Sequence, residues 1–338
     1  MIFVKFNHPE VQKHALNDQN PMDGHTIFTL VHLSDPHLFL PDDVMLKDIL
    51  NKRVYGYLSW HIHRGREYSE TVLSALMEEI TSAGPGHIAV TGDLTHLGLP
   101  KEFLAAKKWL TSLGPPSKVT VIPGNHDSYV AMPWEQTFRL WSDYMISDPE
   151  YRGNNGAGND RRVVFPSLRV RNGIALIGVS TAGPSPLFFA TGSIGKTQLM
   201  RLENILIETQ QKGLFRVILI HHPPISGAVS WRKRLVDQPA FQRLIEIHGA
   251  DLVLYGHTHR VSSGYLKTPF GKISLIGIPS ISAIGRNAAR RARYHLFKFI
   301  KNKDGLALFI IVRVYSLSKR RFVDEETRQI KIPAQDKV

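Results

Sequence analysis

The chain has no cysteine among its 338 residues. Disulfides, zinc–thiolate sites and thiol nucleophiles are therefore excluded, and the composition suits a reducing compartment. Long apolar runs are missing too: none approaches the roughly 20 residues that a membrane-spanning helix needs. Met1 to Gly24 is polar, carries His8, Glu10, Lys13, His14 and Asp18, and lacks the apolar centre of a secretory signal. Together these absences predict a cytoplasmic protein. Acidic charge is scarce, with 29 Asp and Glu against 42 Lys and Arg, a formal net charge of +13. Such a balance favours anionic partners: phosphate esters, nucleic acid or an acidic membrane face. No internal repeat, low-complexity tract or interdomain linker stands out. A 43% hydrophobic content supports a sizeable core.

What is present alternates. Apolar patterning predicts strands at Thr26–Leu33, His87–Thr91, Lys118–Ile122, Ile174–Ser180, Arg216–Ile220 and Asp251–Tyr255. Helices are predicted at Ser69–Ser82, Lys101–Leu113, Lys196–Lys212 and Gln238–His248, with Ser69 placed to cap the first. Ile146–Arg162, rich in Gly and Asn, reads as a loop. Late strands follow at Lys272–Ile278, Tyr294–Ile300 and Leu306–Tyr315. This order predicts one α/β domain over residues 25–318, an irregular lead-in over 1–24 and a charged peripheral tail over 319–338.

Five short motifs follow apolar runs: Asp35-Pro36-His37, Gly92-Asp93, Gly124-Asn125-His126-Asp127, His221-His222-Pro223 and Gly256-His257-Thr258-His259. Each alone is a common turn or surface element; their order and shared placement are what point to a site. Residues i and i+2 of a strand project to one face, so Asp35 with His37, and His257 with His259, can act in pairs if strand geometry continues. A carboxylate can bridge two metals, and Asp93 is placed for that role. Asn125 offers an amide oxygen, and His221 or His222 a further imidazole. Such oxygen and nitrogen ligands suit Mn, Fe, Zn, Co or Ni better than Cu(I). Two divalent ions would outweigh two aspartates, leave the site electropositive and clamp a phosphorus ester for in-line attack by hydroxide.

The five motifs together resemble the calcineurin-like metallophosphoesterases over roughly residues 27–280. The resemblance implies a four-layer αββα sandwich, two mixed sheets flanked by helices, with a dinuclear site at the C-terminal ends of strands. It assigns Asp35, His37 and His259 to one metal, Asp93 to the bridge, and Asn125, His221 and His257 to the other. His126 becomes the general acid or charge stabiliser for the leaving oxygen, and Asp127 orients its imidazole. His221 is preferred over His222, which then contacts substrate or supports the ligands. The implied reaction is hydrolysis of a phosphodiester or diphosphate by a metal-bound hydroxide, with Mn, Fe or Zn as the metals.

Substrate choice rests on other segments. Within a basic, aromatic insertion over residues 42–66, Lys52–Arg66 reads as a helix with Val54, Leu58 and Ile62 on one face and Tyr57 and His61 beside them. Lys52, Arg53, Arg64 and Arg66 frame that face, and Tyr55, Tyr57 and Trp60 add interfacial aromatics. An element of this kind can lie on an anionic membrane. Trp231-Arg232-Lys233-Arg234 follows the His221 loop, so Arg232 and Arg234 are expected to grip a second phosphate, whereas Arg290 and Arg291 read as a solvated basic face. The Arg-Val-Tyr-Gly-Tyr-Leu-Ser-Trp segment also resembles bacterial metallophosphoesterases acting on lipid diphosphates, as in UDP-2,3-diacylglucosamine hydrolysis. The expectation is therefore a nucleotide-linked lipid substrate and a peripheral membrane location. Its rivals are a cyclic-nucleotide phosphodiesterase, a catalytically silent metal-containing binding module and a nuclease.

Overall fold

The computed structural model describes residues 24–38, 44–60, 62, 65, 67–152, 163–303, 305–330 and 332. Two six-stranded sheets form its centre. The first has the order β12-β11-β10-β1-β2-β3, and its strands are β1 (His25–Leu33), β2 (His87–Val90), β3 (Val119–Val121), β10 (Arg293–Asn302), β11 (Gly305–Ser316) and β12 (Arg321–Ile330). The second has the order β4-β5-β6-β7-β9-β8, with β4 (Ser167–Arg171), β5 (Ile174–Val179), β6 (Phe215–Ile220), β7 (Leu252–Tyr255), β8 (Ser262–Thr268) and β9 (Gly271–Gly277). Both are mixed: β1, β2 and β3 run parallel, as do β5, β6, β7 and β9, while the flanking strands pair antiparallel.

The sheets face each other across one apolar layer, where Leu30, Phe297 and Ile310 of the first meet Leu176, Val217 and Leu254 of the second. The outer face of the first sheet is covered by α3 (Glu70–Ala83) and α4 (Pro100–Leu113), through Leu76, Phe103 and Leu110. The outer face of the second is covered by α5 (Lys196–Gln211) and α6 (Gln238–His248), through Leu202, Phe241 and Ile245. The result is the expected helix–sheet–sheet–helix sandwich. The inner strands are buried on both faces, which is why they read as continuous apolar runs.

Three strands were not expected, and all three are sheet edges: β4, β8 and β12. Edge strands are half exposed and of mixed composition, so their pairing leaves little apolar periodicity. β12 corrects the reading of residues from 319 onwards as a peripheral tail. It pairs with β11, buries Phe322, and ties Asp324 to Arg313 at 3.0 Å and Glu325 to Arg293 at 2.7 Å. Ser69 does occupy the N-cap of α3, but its side chain makes no capping bond.

The insertion also differs from its expected form. α1 (Leu46–Ile49) is followed by α2 (Arg53–Ser59). Arg53 is buried and donates to the carbonyls of Leu97 and Gly98, both at 2.8 Å, so it frames no surface. Trp60 is buried against the rings of Tyr68 and His96. A glycine inside a helix ordinarily weakens it, but a Cβ at Gly56 would meet the Leu97 side chain at 2.5 Å, so glycine lets α2 seat closely here. His61, Arg64 and Arg66 lie outside the described residues, as does most of the lead-in.

Candidate dinuclear metal centre

The C-terminal ends of β1, β2, β3, β6 and β7 all open onto one edge of the sandwich, where an α/β fold leaves space for a ligand. The candidate ligands do not continue their strands as the i, i+2 argument assumed. Asp35, His37, Asp93, His257 and His259 have φ between 40° and 64°. A left-handed backbone costs a non-glycine residue about 1–3 kcal/mol, and such residues cluster at functional sites. Hydrogen bonds from Asp35 N to Gly92 O at 3.0 Å and His37 N to Asp93 O at 3.1 Å lock the first two turns together. Gly92 has φ of 91°, and a Cβ there would meet Gly124 N at 2.6 Å and His221 Nδ1 at 2.8 Å. Glycine is required at that position by both conformation and space.

The side chains converge with lone pairs facing lone pairs. His221 Nδ1 donates to the Thr91 carbonyl at 2.7 Å, which leaves Nε2 aimed at Asn125 Oδ1 at 3.2 Å and Asp93 Oδ2 at 3.3 Å. His257 Nε2 donates to the Lys233 carbonyl at 2.9 Å, turning Nδ1 towards Asn125 Oδ1 at 2.8 Å. His37 Nδ1 donates to the Thr95 carbonyl at 3.2 Å, and its Nε2 lies 3.3 Å from His259 Nε2. Each aspartate has one oxygen tied down. Asp35 Oδ2 accepts from Ser34 Oγ at 2.5 Å and His257 N at 3.1 Å, and Asp93 Oδ1 accepts from His126 N at 2.8 Å. The opposite oxygens, Asp35 Oδ1 and Asp93 Oδ2, are buried without a hydrogen-bond partner. Two groups result, Asp35–His37–Asp93–His259 and Asp93–His221–His257, each with its ligand atoms within 4.8 Å of one another. Asp93 belongs to both, and its Oδ2 sits 3.9 Å from His37 Nε2 as well as 3.3 Å from His221 Nε2. Buried acceptors do not gather this way without something positive among them. The donor set therefore fits two divalent cations.

The local field agrees. Burial holds the His37 and His257 imidazoles well below their ordinary value, so both are neutral, as ligands must be. Burial would lower His221 likewise, but Asp93 and Asp35 hold it up at about 9, so this spot favours positive charge. Burial, reinforced by Asp93, pushes Asp35 up to about 7. Asp93 itself stays well below the ordinary carboxyl value, because His221 and His126 outweigh its burial.

Four expected roles change. Asp127 does not touch the His126 ring. It is buried and accepts from the backbone N–H groups of Asp93, Leu94, Thr95 and Gly124, all at 2.9 Å. It therefore shapes the loops that carry Asp93 and Asn125. The His126 ring is instead oriented by the His96 carbonyl, to which Nδ1 donates at 2.6 Å. His222 is fully buried, with Nδ1 bonded to Thr181 Oγ1 at 2.7 Å and Nε2 donating to the Ala190 carbonyl at 3.1 Å, so it cannot reach substrate. Arg232 and Arg234 do not line the cavity above the cluster. That cavity, about 380 Å³, is bounded by Asp93, Asn125, His126, His257 and His259 at its base and by Glu67, Tyr68, Lys233, Arg260 and Arg290 among its walls. Sequence reading missed Arg260, which stands one residue beyond the last ligand motif, a signal that could have found it, and assigned Arg290 to a solvated face. Tyr68, whose hydroxyl lies 3.5 Å from His259 Nδ1, was missed as well.

The sequence matches the calcineurin-like phosphoesterase family over residues 28–261. Its fold is similar to that of a dimetal phosphatase from Danio rerio, with a TM-score of 0.58, 13% identity, and 91% of this chain and 100% of that one covered. It is also similar to purple acid phosphatase PPD1 from yellow lupin (Lupinus luteus) seeds, with a TM-score of 0.52, 11% identity, and 89% of this chain and 53% of that one covered. This chain thus spans about half the length of the lupin enzyme. At such identities these likenesses concern the fold. No curated protein is significantly similar in sequence. The family match covers most of the chain and every motif from Asp35 to His259: the protein belongs to the calcineurin-like phosphoesterases and is a hydrolase of phosphorus esters.

Proposed function

We propose that the enzyme hydrolyses a phosphodiester or diphosphate, with a nucleotide-linked lipid of the UDP-2,3-diacylglucosamine type as the leading substrate class. Asp35, His37 and His259 would hold one divalent cation, Asn125, His221 and His257 the other, and Asp93 both; Mn, Fe and Zn suit this donor set. Such a pair supplies Lewis-acid activation of the phosphoryl group and of water. The observation that carries the reading is the pair of orphaned oxygens, Asp35 Oδ1 and Asp93 Oδ2, beneath a cavity walled by Lys233, Arg260 and Arg290. Three cationic side chains beside the cluster favour a substrate with more than one phosphate over a monoester. Glu67 is the one acidic wall residue other than Asp93 among the described residues.

His126 lines the same cavity with Nδ1 committed to a carbonyl, so it moves a proton, or stabilises charge, through Nε2 at the leaving oxygen. The absence of cysteine supports a cytoplasmic setting. Cyclic-nucleotide phosphodiesterase and nuclease readings share the same cluster, and one experiment separates them. Mn-loaded enzyme is given a nucleoside-diphosphate-linked lipid, an aryl phosphodiester, a cyclic nucleotide, single-stranded DNA and an aryl monophosphate. The diphosphate is expected to have the highest kcat/KM. A monoester or cyclic nucleotide turning over faster than the diphosphate would overturn this choice of substrate.

A further inference from the structure

Beside the cavity, three chain segments form a joined platform. Lys52 Nζ, just before α2, donates to the Ser185 carbonyl at 2.6 Å. Tyr55 meets Phe188 edge-on, with ring centroids 5.3 Å apart, and Phe189 meets Trp231 in the same way at 5.2 Å. Backbone bonds from Ala190 N to Arg232 O at 2.8 Å and Gly192 N to Arg234 O at 3.1 Å bind the second segment to the third. The platform adjoins the reaction centre, because Ala190 and Lys233 both line the cavity.

Its outward face is apolar. Tyr55 and Leu58 lie one turn apart on α2 and are 48% and 50% exposed, and Ile62 beyond it is 64% exposed; Trp231 is 58% exposed and Phe188 68%. Phe188 also has φ of 66°, a conformation that disfavours a bulky side chain. A large aromatic held in strain and pointed into water has no role in the core. The guanidinium of Arg232 lies 5.1 Å from the Trp231 ring centroid, a pairing of apolar body and cationic head suited to a lipid headgroup layer. Charge on the face is one-sided: residues 49–62, 182–192 and 229–236 contain no Asp or Glu, whereas Arg232 and Arg234 are exposed.

We infer that this platform docks the enzyme on an anionic lipid surface. Tyr55, Leu58, Ile62, Phe188 and Trp231 enter the interfacial layer, and Arg232 and Arg234 meet lipid phosphates. The face differs from the one read from sequence, because Arg53 and Trp60 are buried and two other segments supply most of the contact. The inference stands apart from the choice of substrate.

Full-length enzyme should sediment with phosphatidylglycerol-rich vesicles at low salt and stay in the supernatant with phosphatidylcholine vesicles. Joint Arg232→Ser and Arg234→Ser substitution should weaken that partitioning roughly thirtyfold. Joint Leu58→Ser and Phe188→Ser substitution should abolish it while leaving hydrolysis of a soluble aryl phosphodiester unchanged. Wild-type enzyme that ignores both vesicle types, or serine variants that still bind, would overturn the inference. So would a wild-type dimer that Phe188→Ser turns into a monomer without any vesicle binding, since a second copy would then own the face. Vesicle binding by an enzyme that turns over no phosphorus ester would leave the inference standing and sink the substrate reading instead.

Discussion

The floor of the cavity and its rim are built on opposite principles. On the floor, Asp35, His37, Asp93, Asn125, His221 and His257 are buried, and their orienting bonds run to backbone groups, to one another and, for Asp35, to the Ser34 hydroxyl. At the rim, Lys233, Arg260 and Arg290 are exposed and come from segments that meet only in the folded chain. The floor is thus a property of strand ends, and the rim a property of loop packing. Chemistry belongs to the first and selection to the second, so substitutions on the floor should remove turnover whatever the substrate, and those at the rim should change preference.

The largest effect should come from Asp93→Ala. Among the described residues Asp93 is the one shared by the two groups, so both cations should bind more weakly without it. Hydrolysis of a generic aryl phosphodiester should fall below detection, and metal content by elemental analysis should fall with it. Full activity in this variant would break the division between floor and rim at once.

His126 and Asp127 are neighbours in the same motif yet should fail differently. His126→Ala removes a ring that faces the cavity, and should lower kcat about 10²–10⁴-fold with metal retained. Asp127→Ala strands four buried N–H groups, and should cost about 3–5 kcal/mol in denaturant unfolding. A His126 variant that lost both metals, or an Asp127 variant of normal stability, would reverse these assignments.

The same contrast governs what the sequence could reveal. Asp35, Asp93, Asn125, His221, His257 and His259 were legible as candidates because each follows a short apolar run that ends buried, and parallel strands bring their C-terminal ends to one edge. β4, β8 and β12 were illegible because edge strands need no apolar stripe. Asp127 was misread because motif spacing gives proximity in sequence, whereas its partners are backbone groups near residue 94, supplied by a different strand end. For His222 only the substrate alternative fails: adjacent residues leaving a strand point opposite ways, and its buried ring instead packs 4.3 Å from that of His257, where it supports the ligands. Leu58 and Ile62 were expected to share a face with Val54 and are both exposed, but Val54 is half-buried and Tyr55 is exposed instead. A side chain contributed by packing between distant loops leaves no local pattern.

The floor also reaches into the core, and acid should expose that link. His32 Nε2 bonds Thr91 Oγ1 at 3.0 Å, Thr91 Oγ1 donates to Ser34 Oγ at 2.8 Å, and Ser34 Oγ donates to Asp35. Burial pushes His32 down to about 3. A folded-state value below the unfolded one gives stability that is present above about pH 6.5 and lost as pH falls, by about 1.4 kcal/mol per pH unit. His32→Leu should therefore lose about 2 kcal/mol less than the parent between pH 6.5 and pH 5, measured by denaturant unfolding. Parallel stability profiles would mean that His32 takes up its proton equally in both states, and that burial does not hold it down.

The smallest effect, and the one most specific to the rim, should come from Arg290→Ala. Arg290 walls the cavity but belongs to neither ligand group, so its loss should leave both metals in place. A guanidinium that grips a second phosphate near the surface is worth about 1.4 kcal/mol, or roughly tenfold in kcat/KM. That loss should appear for a nucleoside-diphosphate substrate and be absent for an aryl monophosphate, with metal content unchanged. An equal loss on both substrates would place Arg290 in the reaction itself, and would mean that this part of the wall works as an extension of the floor.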